Sequence, residues 1–262
     1  MYRPFAFEKW IDKAGGQFSY IAESSPTNDM VRGSDYLDGG SDGEIAGHPA
    51  SGYFGLRYVN IAGGSKTGHD FTGDGVDDVA GVTADGVLRI YRNNAGSLSG
   101  DDVGPGWTAM DKVAAGDFNG DGDADIVATN GSTGELFLYL GNGGGGFEST
   151  TKIGSGWTGI SQMAAGDFTG DGKADIVAAN NTTGDLNLYT SNGSGISSTT
   201  KIGSNWGGIT KLTLSDIDND GKDDVVAISG STGDLLQYTS TGTSLKSGVE
   251  IGHGWSTMQH LI

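Results

Sequence analysis

Four acidic runs hold most of the chemistry available to this chain: "DFTGDGVDD" from Asp70, "DFNGDGDAD" from Asp117, "DFTGDGKAD" from Asp167 and "DIDNDGKDD" from Asp216. Counted as nine positions from the first aspartate, oxygen-bearing side chains fall at one, three, five and nine, with a backbone carbonyl available at seven. The first run offers Asp70, Thr72, Asp74 and Asp78 with the carbonyl of Val76, and the second offers Asp117, Asn119, Asp121 and Asp125 with that of Asp123. The third has Asp167, Thr169, Asp171 and Asp175 with the carbonyl of Lys173; the fourth has Asp216, Asp218, Asp220 and Asp224 with that of Lys222. Hard oxygen donors without His or Cys select calcium over zinc or copper. About four calcium sites are expected. Those containing Thr72 and Thr169 should be weaker, or hold an extra water, because a hydroxyl is neutral.

An EF-hand reading fails on these residues. Its twelfth position needs a bidentate Glu, whereas Ala128 and Ala227 stand there, and the flanking residues have strand rather than helix character. The runs read instead as connections between strands. Carboxylates within about 4 to 6 Å of one another repel and raise each other's pKa, so three or four in one turn call for a neutralising cation. Thirteen of the 33 acidic residues would be ligands, and four calcium ions would bring the formal charge from −18 to −10. Calcium is therefore expected to be structural. Loops of this kind need the calcium concentrations found outside cells, which points to a secreted or cell-surface protein.

The elements that must position these loops repeat with them. The leading aspartates stand 47, 50 and 49 residues apart, and Trp107, Trp157, Trp206 and Trp255 keep a similar step, each following a glycine-bearing turn. Between the markers each unit reads as four short strands. In the second unit these are "KVAAGDF", "ADIVAT", "LFLYL" and "STTKIG". In "LFLYL" both alternating faces are apolar, so the sheet must be covered on both sides. The Ala- and Gly-rich first strand suits a position where several sheets converge. Blades around an axis, an all-β β-propeller of four-stranded blades, satisfy both conditions. A linear β-solenoid is the alternative, although this period is long for one of its rungs.

These loops, with their strand context, resemble FG-GAP repeats, the calcium-binding blades of integrin α-subunit propellers and of secreted bacterial and fungal relatives that include a sugar-binding lectin. The resemblance covers roughly residues 65–257. It implies a propeller usually of seven blades, of which four clear repeats are visible here. Residues 1–64 are read as a degenerate fifth blade or an N-terminal extension, with "WIDKAGGQF" echoing "AMDKVAAGDF" and Gln17 in place of the first aspartate. The closing "STMQHLI" would supply a strand to complete that blade; part of a seven-bladed ring is the alternative. Residues 65–262 form the repeat domain.

Composition narrows the function further. With 262 residues, a charge of −18 and no basic patch, the chain is unsuited to nucleic acid or an anionic membrane. The lack of cysteine removes disulfides, thiol chemistry and thiolate metal sites. No run approaches the length of a signal-peptide core or a membrane span, and the chain is expected to be soluble. Glycines Gly141, Gly143 and Gly146 fit a dinucleotide fingerprint but open no helix, and the two "STTK" runs recur at the blade period as outer-strand surface. The four histidines lack metal-ligand spacing, and no catalytic motif emerges. The leading expectation is an extracellular binding module for a glycan or a protein, with Trp107, Trp157, Trp206 and Trp255 as stacking platforms. Each tryptophan could instead be a wedge between blades. The competing function is a noncatalytic scaffold attached to a secreted enzyme or assembled as a homo-oligomer.

Overall fold

The computed structural model describes residues 68–94 and 97–258 in full. It also gives the backbone of an antiparallel pair, β1 (Glu8–Ile11) with β2 (Phe18–Ile21), in a separate compact unit, Met1–Ser65. The expected fifth blade at residues 1–64 otherwise lies outside the described residues, as do the last four residues of the closing "STMQHLI".

The second unit, Lys66–Ile262, is an all-β propeller array of four blades. Blade one comprises β3 (Val79–Val82), β4 (Val87–Asn94) and β5 (Ser97–Pro105). Blade two is β6 (Met110–Gly116), β7 (Asp125–Asn130), β8 (Leu136–Gly141) and β9 (Phe147–Gly154). Blade three is β10 (Ile160–Gly166), β11 (Asp175–Asn180), β12 (Asp185–Ser191) and β13 (Ile196–Ser204). Blade four is β14 (Ile209–Ser215), β15 (Asp224–Ser229), β16 (Leu235–Tyr238) and β17 (Val249–Gly252). Within each sheet the strands pair antiparallel in chain order.

Inner strands β6, β10 and β14 lie beside one another, which explains the Ala–Ala–Gly endings of β6 and β10; β14 has Thr213, Leu214 and Ser215 there. A Cβ on Gly116 would fall 2.6 Å from that of Ala174 in the next blade, so glycine is what the approach permits. The second strands of blades two to four are buried on both faces, as in β7, where Asp125 to Thr129 are all buried, whereas β3 of blade one is exposed at Val79 and Val82. The cores lie between blades. Phe71, Leu88, Ile90 and Trp107 of blade one pack on Ala124, Ile126 and Ala128 of blade two. Phe118, Leu136, Leu138 and Trp157 of blade two meet Ile160, Ile176 and Ala178 of blade three, and Phe168, Leu186, Leu188 and Trp206 meet Leu212, Val225 and Ala227 of blade four. Each buried side chain of this size contributes about 1.5–3 kcal/mol, so a blade derives its stability from its neighbours. The far face of blade four holds Val226, Ile228 and Leu235 with Trp255 against them.

Candidate metal centres

The second, third and fourth acidic runs connect the first and second strands of a blade, each closed by one residue pair, Gly116 opposite Asp125, Gly166 opposite Asp175 and Ser215 opposite Asp224, and the first run leads into β3. Loop positions four and six need a left-handed backbone. Gly120 (φ 82°) and Gly122 (φ 103°) supply it in the second loop, and Asn219 (φ 59°) replaces the first of them in the fourth.

The position-one carboxylate gathers the loop around itself. Asp70 Oδ1 accepts the amides of Thr72, Gly73 and Asp74 at 3.2, 2.8 and 3.3 Å, and its Oδ2 accepts that of Gly75 at 2.7 Å. Asp117 accepts Gly120, Asp121 and Gly122; Asp167 accepts Gly170, Asp171 and Gly172; Asp216 accepts Asp220 and Gly221. Position five repeats the device, its Oδ1 accepting the amide at position seven: Val76 to Asp74, Asp123 to Asp121, Lys173 to Asp171 and Lys222 to Asp220. Amide dipoles thus meet part of the negative charge that sequence reasoning assigned wholly to a cation.

Position nine works differently, because each of its carboxylates is buried and spans two strands. Asp125 Oδ2 accepts the Phe118 amide at 2.8 Å and its Oδ1 accepts the Gly141 amide at 2.8 Å. Asp78 joins the amides of Phe71 and Asn93, and Asp175 those of Thr169 and Ser191. Asp224 accepts the Ser240 amide and the Gln237 Nε2 group. Burial pushes the Asp125 carboxyl up to about 7 against the opposing pull of the Gly141 and Phe118 amides, with Asp121 and Asp117 raising it further. Burial likewise lifts Asp175 to about 6, opposed by the Ser191 amide. Asp167 and Asp223 are also raised, mainly by burial.

Two polar atoms in these loops are buried without a hydrogen bond of good geometry: the hydroxyl oxygens of Thr72 and Thr169 at position three. Thr169 lies close enough to favour the ionised form of Asp175, but forms no such bond. An oxygen-only donor set with an orphaned hydroxyl at a ligand position fits a hard cation. In the fourth loop, Asp216, Asp218 and Asp220 each bring one oxygen within 4.8 Å of the others. Among the described residues, this is where three carboxylates converge. A calcium ion here would draw on those three, with Asp224 and the Lys222 carbonyl completing the predicted set, and would supply charge neutralisation.

Adjacent loops are tied together. The position-eight amide of one loop donates to the position-one carbonyl of the loop before it: Ala124 to Asp70 and Ala174 to Asp117 at 2.7 Å, Asp223 to Asp167 at 2.8 Å. The position-two carbonyl is gripped as well, by the Gly145 amide on Phe71 and by the hydroxyls of Ser191 on Phe118 and Ser240 on Phe168. The sequence reading missed these serines. Their signal is the recurring "YTS" of Tyr189–Ser191 and Tyr238–Ser240, at the blade period.

The tryptophans require a correction. Trp107, Trp157 and Trp206 are 7, 5 and 6% exposed and stack on Tyr139, Tyr189 and Tyr238 of the next blade at 4.8, 4.6 and 4.7 Å. Burial between blades leaves them no open face for a sugar ring. A turn glycine fixes each one, its carbonyl accepting the tryptophan amide: Gly86, Gly134, Gly184 and, for Trp255, Gly233. Trp255 alone of the four is partly exposed.

A family model described as "FG-GAP-like repeat" matches residues 70–128, 117–178 and 167–227, more than half of the chain. The chain belongs to the FG-GAP-like repeat family. FG-GAP repeats are generally calcium-binding, in keeping with the oxygen-only loops above. No curated protein matches the chain. A solved structure of the Photorhabdus luminescens Tc holotoxin pore contains a similar chain at 17% identity and a TM-score of 0.47. The similarity covers 71% of the present chain and 9% of that one, so the matched part spans less than a tenth of that chain's length. No helix among the described residues is long and apolar enough to cross a membrane.

Proposed function

We propose that this chain is a noncatalytic extracellular binding module, stiffened by calcium, that docks a protein partner through the far face of blade four. One observation carries the reading: blade four presents half of an inter-blade core. Phe71, Phe118 and Phe168 at loop position two are at most 2% exposed beneath the next blade, whereas Ile217 in the same position is 41% exposed. Trp255 lies on Val226, Ile228 and Leu235 and, among the described residues, has no counterpart of the tyrosine that stacks on each of the other three, and Val249 and Ile251 are exposed nearby. Apolar surface of this kind marks a protein contact. By analogy with the other inter-blade cores, it suits the face of another β-sheet carrying an aromatic residue.

Carbohydrate binding keeps Trp255 as its one partly exposed tryptophan of the four. The test compares wild type with the double variant Ile217→Asp, Trp255→Ser on a panel of purified extracellular proteins and on a glycan array, each with and without EGTA. Protein binding abolished by the double variant supports the docking reading. Glycan binding that survives the double variant and vanishes in EGTA overturns it in favour of a lectin.

A further inference from the structure

The four loops share the position-one device and a buried position-nine carboxylate but differ in what faces the second oxygen of the position-five carboxylate. In the fourth loop, Lys222 Nζ lies 3.3 Å from Asp220 Oδ2, and in the third, Lys173 Nζ lies 3.8 Å from Asp171 Oδ2. In the second loop, the Asn119 side-chain amide donates to Asp121 Oδ2 at 2.7 Å. In the first, position seven is Val76, an exposed apolar residue, and Asp74 Oδ2 meets no donor among the described residues. The lysines are held in place. A Cβ on Gly120 would fall 3.4 Å from Lys173 Cγ, and one on Gly170 would fall 3.0 Å from Lys222 Cγ, so each stem lies along position four of the preceding loop. Asp123, at the same position in the second loop, points a carboxylate at the first: a Cβ on Gly73 would fall 3.3 Å from its Oδ1.

We infer that the position-seven side chain grades the calcium demand of the loops, with Lys173 and Lys222 acting as tethered cations that compete with calcium in loops three and four. This rests on the calcium reading of the family. An ammonium attached to the loop neutralises a ligand carboxylate at every calcium concentration, and an entering ion must displace it. Loops three and four are therefore the weaker calcium sites and keep their shape better without the ion, which takes loop one out of the weaker class where its neutral Thr72 hydroxyl alone would place it. Loop one, with three carboxylates, an orphaned hydroxyl, the added field of Asp123 and no tethered cation at position seven, has the greatest need of it. Convergence of Asp216, Asp218 and Asp220 beside Lys222 agrees with a loop already gathered by its own cation.

The experiment is calorimetric titration of chelator-treated protein with calcium chloride, run alongside thermal melts in EGTA, for wild type, Lys222→Gln, Val76→Lys and Lys201→Gln. Lys201 pairs with Asp185, outside the loops, so its variant makes the same change in net charge without touching a loop. Lys222→Gln should tighten the weakest class of sites about two- to fivefold, the size of an exposed charge pair, and should melt lower than wild type in EGTA. Val76→Lys should weaken the tightest class by a similar factor. Lys201→Gln should change neither affinity. If Lys222→Gln and Lys201→Gln tighten binding equally, or if Lys222→Gln leaves it unchanged, the grading is wrong while calcium binding stands. If wild type binds no calcium, the underlying reading falls and the grading with it.

Discussion

The Trp157 indole lies against the Tyr189 ring with centroids 4.6 Å apart and planes tilted by 39°, one residue ending blade two and the other on strand β12 of blade three. Trp107 with Tyr139 and Trp206 with Tyr238 repeat the arrangement. Trp157→Ala removes a buried ring whose site cannot collapse, because strands on either side are held by hydrogen bonds. A loss of about 3–5 kcal/mol is expected. Trp255→Ala, with no tyrosine over it among the described residues, should lose less than half as much. Urea midpoints of the two variants check the difference.

Ser191 ties blade three to blade two through the Phe118 carbonyl, at 2.9 Å, and also accepts the Gly193 amide. Ser191→Ala leaves a buried carbonyl and an amide short of a partner, at about 1–3 kcal/mol. Ser197→Ala, exposed on β13, should stay within about 0.5 kcal/mol of wild type. Chemical denaturation measures both, and equal effects would refute the inter-blade role of Ser191.

Without calcium, stability should fall as pH rises from about 4 to about 7. Asp125 holds its proton in the folded chain up to about 7, and Asp175 to about 6, whereas the unfolded chain releases both near the ordinary carboxylate value. Across that window the folded state binds more protons, so the stability these protons provide at low pH is progressively lost. Millimolar calcium should reverse the slope by favouring the ionised loops. Melting temperatures at pH 4.5, 6 and 7.5, in EGTA and in calcium, display the two slopes.

Calcium removal should lower stability according to how far the ion exceeds its dissociation constant, about 2.7 kcal/mol per site at a hundredfold excess. For a chain of this size each kcal/mol corresponds to about 2–4 °C. A melting temperature identical in EGTA and in 5 mM calcium chloride would show that amide bonding alone holds the loops.

Much of this architecture was legible in the residues. The fourfold acidic run, its period and the alternating apolar strands gave blades, and the Ala–Gly character of "KVAAG" placed the first strand of blade two among its neighbours. The run also identified oxygen donors, because the side chains at positions one to nine are close in the chain whatever the rest does. What escaped were the partners of those donors. Asp125 receives an amide from Gly141, sixteen residues on, and Ser191 reaches Phe118, 73 residues back.

The sequence by itself determined the repeat, the strand order within a blade and the chemical kind of ion the loops suit, since each depends on residue type and local spacing. Only the tertiary structure decided that three tryptophans are buried wedges, that position-nine aspartates staple a loop to a third strand, and that Lys173 and Lys222 lie across the preceding loop. Those facts arise where one blade packs on the next. An exposed tryptophan and a buried one are written with the same letter, and the neighbour that covers it is set by the geometry of packed sheets.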